Sequence, residues 1–466
     1  MITPQLGDAS SFDFSIVKRA IAAGIAAARA DAPELGRLEL SSKDYDAYLA
    51  QREAKRNGVQ PVIKFVRVSP DSQRYTKPLH ALFDDLIGRR LDPSAVNRRI
   101  TDLYGRGDLE TLDYRIAQDD DDYGLDLTAH RNSYGPNYVR FGLSLQDDFQ
   151  GNAVYNAAAR LVMSELTSTG AEWVWDLQEG VSPHAYTEFF LPFSNYWEWF
   201  ILPNAEYSAT NVPLINAARQ ETAEYRLRSL DYGLDLGREL GNWGQVLLGV
   251  LHDEGTSSVR IGDSSLPNTN FRDNGYFVQF SYDQLDDVNF PHTGQLGTVQ
   301  WESLQSRVAV GDAPATESPL NQVTLNWLAA RSFGRETALL WATGGTTLNQ
   351  TAPLDLHTQF TLGGLFNLSG LPQESLAGSN FGIARLLFYR KIGQGGEGVL
   401  DFPAYLGVSA EAGNVWANRQ SIELSSVRTD ASVFLGLDTL IGPLYLATGY
   451  DQSGSFAFYL YLGRTF

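Results

Sequence analysis

Two periodicities divide the chain. From Asn137 to Asp147, Val139, Phe141, Leu143 and Leu145 fall on one side, and Tyr138, Arg140, Gly142, Ser144 and Gln146 on the other. Tyr276–Tyr282 repeats the alternation, with aromatic residues at even positions and Gln279, Ser281 and Asp283 opposite. A period of two marks strands with one apolar face. No helical period of any length follows the linker Asn132–Asn137. Turn signals recur at Ser168–Gly170, Phe193–Asn195, Gly241–Trp243, Asp286–Gly294, Phe333–Arg335, Lys391–Gly398 and Leu440–Pro443. The alternate connections read longer, as at Ser208–Glu221 and His252–Asn274, and longest at Thr346–Asn380. Counting between turns predicts about 16 strands, with the longest connection between strands 11 and 12. An even strand number, with short turns at one end and long loops at the other, predicts a transmembrane β-barrel. A soluble sandwich or propeller also alternates. It needs no such unequal turns, nor Trp173, Trp175, Trp197 and Trp199 near strand ends, where they suit a water–lipid boundary.

Upstream the period changes. Ile16, Val17, Ala20, Ile21, Gly24, Ile25 and Ala28 are spaced for a helix over Phe14–Ala30, with Ser15 as its N-cap. A second helix is predicted over Ser42–Lys55, with Tyr45, Tyr48 and Leu49 on one face. Two helices within residues 1–57 make a poor independent domain. Residues 58–133 read as a β-α-α-β-β unit. The strand Pro61–Val68 comes first, then helices Lys77–Ile87 and Pro93–Tyr104, then strands Leu109–Ile116 and Tyr123–His130. The aspartate run Asp119–Asp122 fits a solvated hairpin tip, because a calcium loop needs ligands at set spacings around a glycine kink. Residues 134–466 form the barrel.

Composition narrows the function. The chain has 43 Gly and 12 % aromatic residues, which suits a barrel with aromatic girdles and many turns. A net charge of −19 argues against a nucleic-acid partner. The absence of cysteine removes disulfides, Cys-based metal sites and thiol catalysis. No apolar run reaches the roughly 18 residues of a membrane helix, a test that alternating barrel strands escape. Met1 opens without a basic and then apolar leader, so an exported chain is expected to lack its true start here. Gly393-Gln-Gly395-Gly396-Glu-Gly398 satisfies a dinucleotide pattern, but a strand follows it where a phosphate-binding helix is needed. No cofactor and no metal are predicted.

The organising stretch is Thr361–Arg390. It runs Phe360-x-Leu362-Gly363-Gly364, then Leu368-Ser369-Gly370-Leu371, then a third Leu-x-Gly before an aromatic strand. This order resembles the sixth extracellular loop of BamA/TamA-type outer-membrane barrels. The motif Leu103-Tyr104-Gly105-x-Gly107-Asp108-x-Glu110 resembles the helix-to-strand turn of POTRA domains, which are periplasmic modules. Phe12-Asp13-Phe14, Leu38–Leu40 and Tyr45-x-x-Tyr48-Leu49 resemble the closing part of a patatin-like phospholipase domain; a plain two-helix appendage is the alternative. The terminal Phe456, Phe458, Leu460, Leu462 and Phe466 resemble the signal read by the barrel assembly machinery, with Arg464 breaking the row.

These resemblances imply a mainly β protein. A transmembrane barrel of about 16 strands follows one α+β POTRA domain and a short helical remnant of a patatin-like α/β domain. The implied site is the outer membrane, with residues 58–133 in the periplasm. The implied partners are outer-membrane lipids and, during biogenesis, the barrel assembly machinery. The first functional expectation is the anchoring or translocating part of a patatin-like phospholipase autotransporter. The second is a BamA/TamA-type assembly or translocation factor. The chain itself is expected to be catalytically incomplete. Lipase nucleophile and Asp-Gly motifs are absent, and the near misses Ser144 and Ser409 lie inside strands, not on a strand-to-helix elbow. Assembly factors of the resembled superfamily usually carry an arginine at the loop tip, and its absence here favours the autotransporter expectation. Ser369 stands there instead and cannot form a charge-assisted arginine pair. The loop is therefore expected to fold inward and to be held by packing together with backbone hydrogen bonds to the barrel wall, and not by an ion pair.

Overall fold

The structure is a computed structural model describing residues 2–6, 17–56, 61–105, 107, 109–149, 153–194, 198–215, 221–349, 355–394 and 402–464. Phe12–Ser15, Trp197, Gly395–Gly398 and Phe466 lie outside the described residues. The first elements are helices α1 (Val17–Ala30), α2 (Ala32–Leu35) and α3 (Ser42–Arg56). Ile21, Ile25, Tyr45 and Tyr48 are all exposed, and among the described residues no buried core residue belongs to these helices.

A compact α+β unit follows: β1 (Ile63–Val68), α4 (Thr76–Phe83), α5 (Pro93–Tyr104), β2 (Leu109–Asp119) and β3 (Asp122–Arg131). The sheet order is β1-β3-β2, with β1 parallel to β3 and β2 antiparallel to it. Apolar residues from every element meet in one core that includes Ile63, Leu79, Phe83, Val96, Leu125 and Leu127. Asp92 caps α5 by accepting from the Ser94 backbone N–H at 2.9 Å, and Pro93 occupies the first turn, where no N–H is needed. Helix α4 ends at Phe83, earlier than the apolar spacing predicts, in a single 3-10 turn over Asp84–Leu86. Tyr75 donates to Glu165 at 2.6 Å and Arg74 pairs with it at 2.8 Å, tying the unit to one barrel turn.

The barrel opens with β4 (Asn137–Asp147), β5 (Ala153–Met163), β6 (Glu172–Gly180) and β7 (His184–Pro192). Longer strands follow: β8 (Trp199–Ile215), β9 (Glu221–Glu239), β10 (Gly244–Ile261), β11 (Thr269–Asp283), β12 (Thr293–Val310), β13 (Thr316–Phe333) and β14 (Glu336–Thr347). Two short strands, β15 (Phe360–Leu362) and β16 (Leu376–Gly378), pair with each other inside the next connection. The wall is completed by β17 (Asn380–Gln394), β18 (Pro403–Trp416), β19 (Arg428–Thr439), β20 (Gly442–Asp451) and β21 (Phe456–Arg464). β21 pairs back onto β4 and closes 16 antiparallel strands, with β15 and β16 outside the wall. The long connection falls between the eleventh and twelfth barrel strands, β14 and β17.

The alternation sorts side chains as the sequence predicts. On β18, Leu406 and Val408 face out and are half-exposed, while Tyr405, Ser409 and Glu411 are buried inside. On β4, Phe141 is 81 % exposed on the outer face. Closure gives each wall strand a partner on both sides, as a strand-built membrane span requires, and the apolar outer faces form a belt for lipid. Trp173, Trp199 and Trp243 stand partly exposed near strand ends.

One expectation is corrected. Ser208–Glu221 and His252–Asn274 are mostly paired strand and not long loops. β8 runs to Ile215, and β10 and β11 pair as far as Ser257 with Thr269. A membrane crossing needs about 9–11 residues, and β9 has 19. Beyond the bilayer both faces meet water, so polar residues occupy both and the alternation that identifies a strand disappears.

We expect the chain to stay folded only in detergent or a bilayer, and to migrate faster on unheated than on heated denaturing gels. A folded, monodisperse preparation in detergent-free buffer is the result that would remove the membrane belt.

Candidate functional site

The site is the tip of the β14–β17 connection, folded into the lumen. Gly363 and Gly364 adopt φ of 127° and 104°, values open to glycine alone. A Cβ on Gly363 would stand 2.1 Å from the Pro372 carbonyl. The loop closes on itself through Gly363 N–H to Asn367 O at 2.8 Å and Gly364 N–H to Leu371 O at 3.1 Å. Phe366 and Leu368 also have positive φ, 57° and 72°. These turns bury Leu368 and Leu371 against Leu362 and Ile383.

The same turns aim successive backbone N–H groups outward from the tip. Leu368 N–H and Ser369 N–H donate to Glu411 Oε2 at 2.7 and 2.8 Å, and the Ser369 hydroxyl donates to Glu411 Oε1 at 2.5 Å. Gly370 N–H donates to Asp430 Oδ2 at 2.7 Å. Consecutive N–H groups converging on a carboxylate form an anion-binding nest. On the other side of the tip, Tyr459 donates to the carbonyls of Ser369 and Leu371 at 2.9 and 2.8 Å. Arg385 donates to the Phe366 carbonyl and to Asn367 Oδ1, and its guanidinium lies 4.2 Å from the Trp341 ring centre.

The wall residues form one row. In cross-strand register Trp341 faces Arg385, Arg385 faces Glu411, Glu411 faces Asp430, and Asp430 faces Asp451. The barrel pleat thus presents a cation and three carboxylates side by side at the depth of the loop tip. Two glycines let the backbones touch. A Cβ on Gly370 would stand 2.3 Å from Asp451 N, and one on Gly449 would stand 1.8 Å from Ser369 O.

The loop packs inward and its main chain bonds to the barrel wall, and the acceptors on the wall are buried carboxylates. With no arginine at the tip, the cation that contacts the loop stands on the wall, at Arg385. Sequence reading missed Glu411, Asp430, Arg385 and Tyr459. The available signal was carboxylates at lumen-facing positions of strands. Glu411 lies in the very stretch Gly407–Glu411 that resembles a failed nucleophile elbow. There Ser409 bonds Glu411 and Ser432, each at 2.6 Å. Ser144, far off on β4, accepts from Asn156 at 3.4 Å. Gly363, Gly364, Leu368, Ser369, Gly370 and Leu371 are brought together. The terminal residues are not part of this cluster: Phe456 and Phe458 face out from β21 and are exposed, while Leu460 and Leu462 follow on the same strand.

The start of the connection has its own anchor. His357 lies between Asp273 of β11 at 3.0 Å and Asp355 at 2.9 Å, stacked on Phe271 with centroids 3.7 Å apart. Burial opposes its charge, but hydrogen bonds to Asp273 and Asp355 outweigh this and push its pKa up to about 9. Asp273 ends a second acidic row, Glu206, Asp231, Asp253 and Asp273, directly opposite one another across β8–β11. Like charges so placed destabilise a sheet, and His357 offsets one end.

Neither a family model nor a curated protein matches the sequence. Solved structures do match. BamA from Haemophilus ducreyi lacking POTRA domains 1-3 superposes with a TM-score of 0.65 at 14 % identity, over 88 % of this chain and 85 % of that one. CdiB from Escherichia coli gives 0.55 at 12 % identity over 87 % and 76 %, and CdiB from Acinetobacter baumannii 0.54 at 13 % over 86 % and 74 %. The barrel has the BamA and CdiB fold. Barrels of this kind span the bacterial outer membrane, and the apolar belt of this one suits that bilayer.

Limited proteolysis of the loop in detergent should rank the contacts. Gly370→Val should open it most, because the clash is with main chain. Glu411→Ala should come next, since three donors lose their partner at about 1–3 kcal/mol each. Ser369→Ala should cost only about 1 kcal/mol, because both N–H bonds to Glu411 remain. Protection in Glu411→Ala equal to the parent would sink the nest account. A separate expectation concerns pH. The raised His357 pKa means that its contribution is complete below about pH 6.5 and is lost as pH rises through about 9. Hydrogen exchange around Leu356–Phe360 should therefore quicken between pH 8 and 10, and should lose that step in His357→Gln.

Proposed function

We propose that the chain is an outer-membrane protein assembly or translocation factor, with the α+β unit as a periplasmic POTRA domain spanning residues 58–133 and the barrel spanning 134–466. The observation that carries this is the closing seam. Among the described residues β21 and β4 share five residue pairs, from Leu460 with Asp147 to Arg464 with Leu143, whereas β4 and β5 share eleven. No other neighbouring pair of wall strands among the described residues shares so few, and the least-paired seam is the place where a barrel wall opens at lowest cost. The loop tip bears on it directly, because Tyr459, the residue bonded to the tip's carbonyls, lies on the seam strand β21. Gly463 makes the seam irregular: its φ of 79° departs from a strand, and the chains approach so closely there that a Cβ would stand 1.7 Å from Leu143 O.

The likeness to BamA and CdiB supports the same reading at the level of fold. A patatin-like passenger draws no support from the comparisons, and among the described residues helices α1–α3 contribute nothing to a buried core. The partners of this reading are outer-membrane lipids, the assembly machinery that inserts the chain, and unfolded client polypeptides.

The test uses the cysteine-free background. Gln146 faces Tyr461 across the seam, and cross-strand partners have Cβ atoms about 4.5–5.5 Å apart. The double variant Gln146→Cys, Tyr461→Cys should lose the ability to insert an unfolded client barrel into proteoliposomes when oxidised and regain it on reduction. Full activity of the oxidised form would rule out a role for seam opening.

A further inference from the structure

The near-end turn between β11 and β12 behaves unlike its neighbours. It folds into the barrel mouth and puts Phe290, 2 % exposed, into an aromatic cradle on the opposite wall. Tyr405 stacks on the ring with centroids 4.3 Å apart and planes at 13°, and Tyr445 and Tyr389 border it at 5.3 and 6.2 Å. Gly436 forms the back wall, where a Cβ would stand 2.7 Å from the ring. The cradle also reads main chain. Tyr445 donates to the carbonyl before Phe290, that of Asn289, at 3.4 Å, and Tyr389 donates to the carbonyl after it, that of Pro291. Asn289 Nδ2 donates to Asp438 at 2.9 Å.

We propose that this cradle is a binding site for an aromatic residue within a polypeptide segment, and that Phe290 is its exchangeable resident. A ring slot flanked by hydroxyls that bond the preceding and following carbonyls recognises a peptide and not a lone ring. The resident arrives preshaped. Asp287 Oδ1 accepts from the N–H groups of Asn289 and Phe290 at 2.7 and 2.8 Å, and Asp286 Oδ1 from those of His292 and Thr293 at 2.8 and 2.9 Å. The cradle comes from β17–β20 and the turn from β11–β12, so the turn can leave without any strand unpairing. Occupancy is felt above: Tyr445 also touches Phe366 of the long loop, with centroids 5.5 Å apart. The inference goes beyond the assembly reading and stands without it.

The probe is a fluorescent seven-residue peptide copying Asp287–Thr293, with a control in which its phenylalanine is alanine. A tethered competitor acts at roughly millimolar effective concentration, so vacating the cradle should tighten binding of the probe. In detergent, Phe290→Ala should bind the peptide at least about tenfold tighter than the parent and ignore the control. Adding Gly436→Val should abolish binding. A Phe290→Ala chain that binds both peptides alike, or neither, overturns the proposal. A spin label at Val288→Cys in the otherwise unchanged chain reports the turn directly, because Val288 is exposed. Excess peptide should raise its mobility while the control does not. An unmoved label overturns the proposal, whether or not Phe290→Ala folds.

Discussion

Everything inside this barrel is arranged around a carboxylate that should not be comfortable there. Glu411 is 2 % exposed, and an unpaired buried charge of that kind is costly. It stays because a loop brings main-chain N–H groups to it, and those groups need an acceptor as much as the carboxylate needs donors. The dependence is mutual, and it fixes the loop's depth, its handed turns and the glycines at its contacts. Serine at the tip is then sufficient. Its N–H and hydroxyl do locally what a long cationic side chain would do from a distance.

The two insertions into the lumen, the long loop and the turn bearing Phe290, come from opposite ends and meet on one aromatic cluster. Phe366 packs on Phe434 and Tyr445, and Phe290 on Tyr405 and Tyr445. Polar contacts set position in the upper half, and ring stacking does so in the lower half. A disturbance of Tyr445 reaches both. The seam strand is drawn into the same system through Tyr459, so the weakest part of the wall is coupled to the best-anchored part of the interior.

How much of this was legible in the sequence follows from which forces leave a periodic trace. The bilayer writes a period of two, so β4 and β18 could be read, and with them the strand count and the position of the long loop. Helix capping at Asp92 and Pro93 is equally local and readable. Where the wall leaves the bilayer the trace vanishes, and the upper parts of β8 to β11 pass for loops. The grip on the loop tip was illegible for another reason. It joins Ser369 and Gly370 to residues 42 and 60 positions away through backbone groups that no side-chain pattern encodes. Phe290 was hidden in the same way, since a turn signal says that the chain reverses and not where the turn then leans.

The extended upper wall has a consequence for how the outer surface can change over evolutionary time. Ordinary loops accept insertions because nothing is paired across them. Here much of the exterior is ladder, from Thr256 opposite Arg228 to Asn270 opposite Ala309. One added residue would turn every later side chain to the other face of its strand. Variation on that side is thus confined to substitutions, two residues of travel at a time if lengths change at all. The crown of the barrel is free to alter its chemistry while its shape stays fixed.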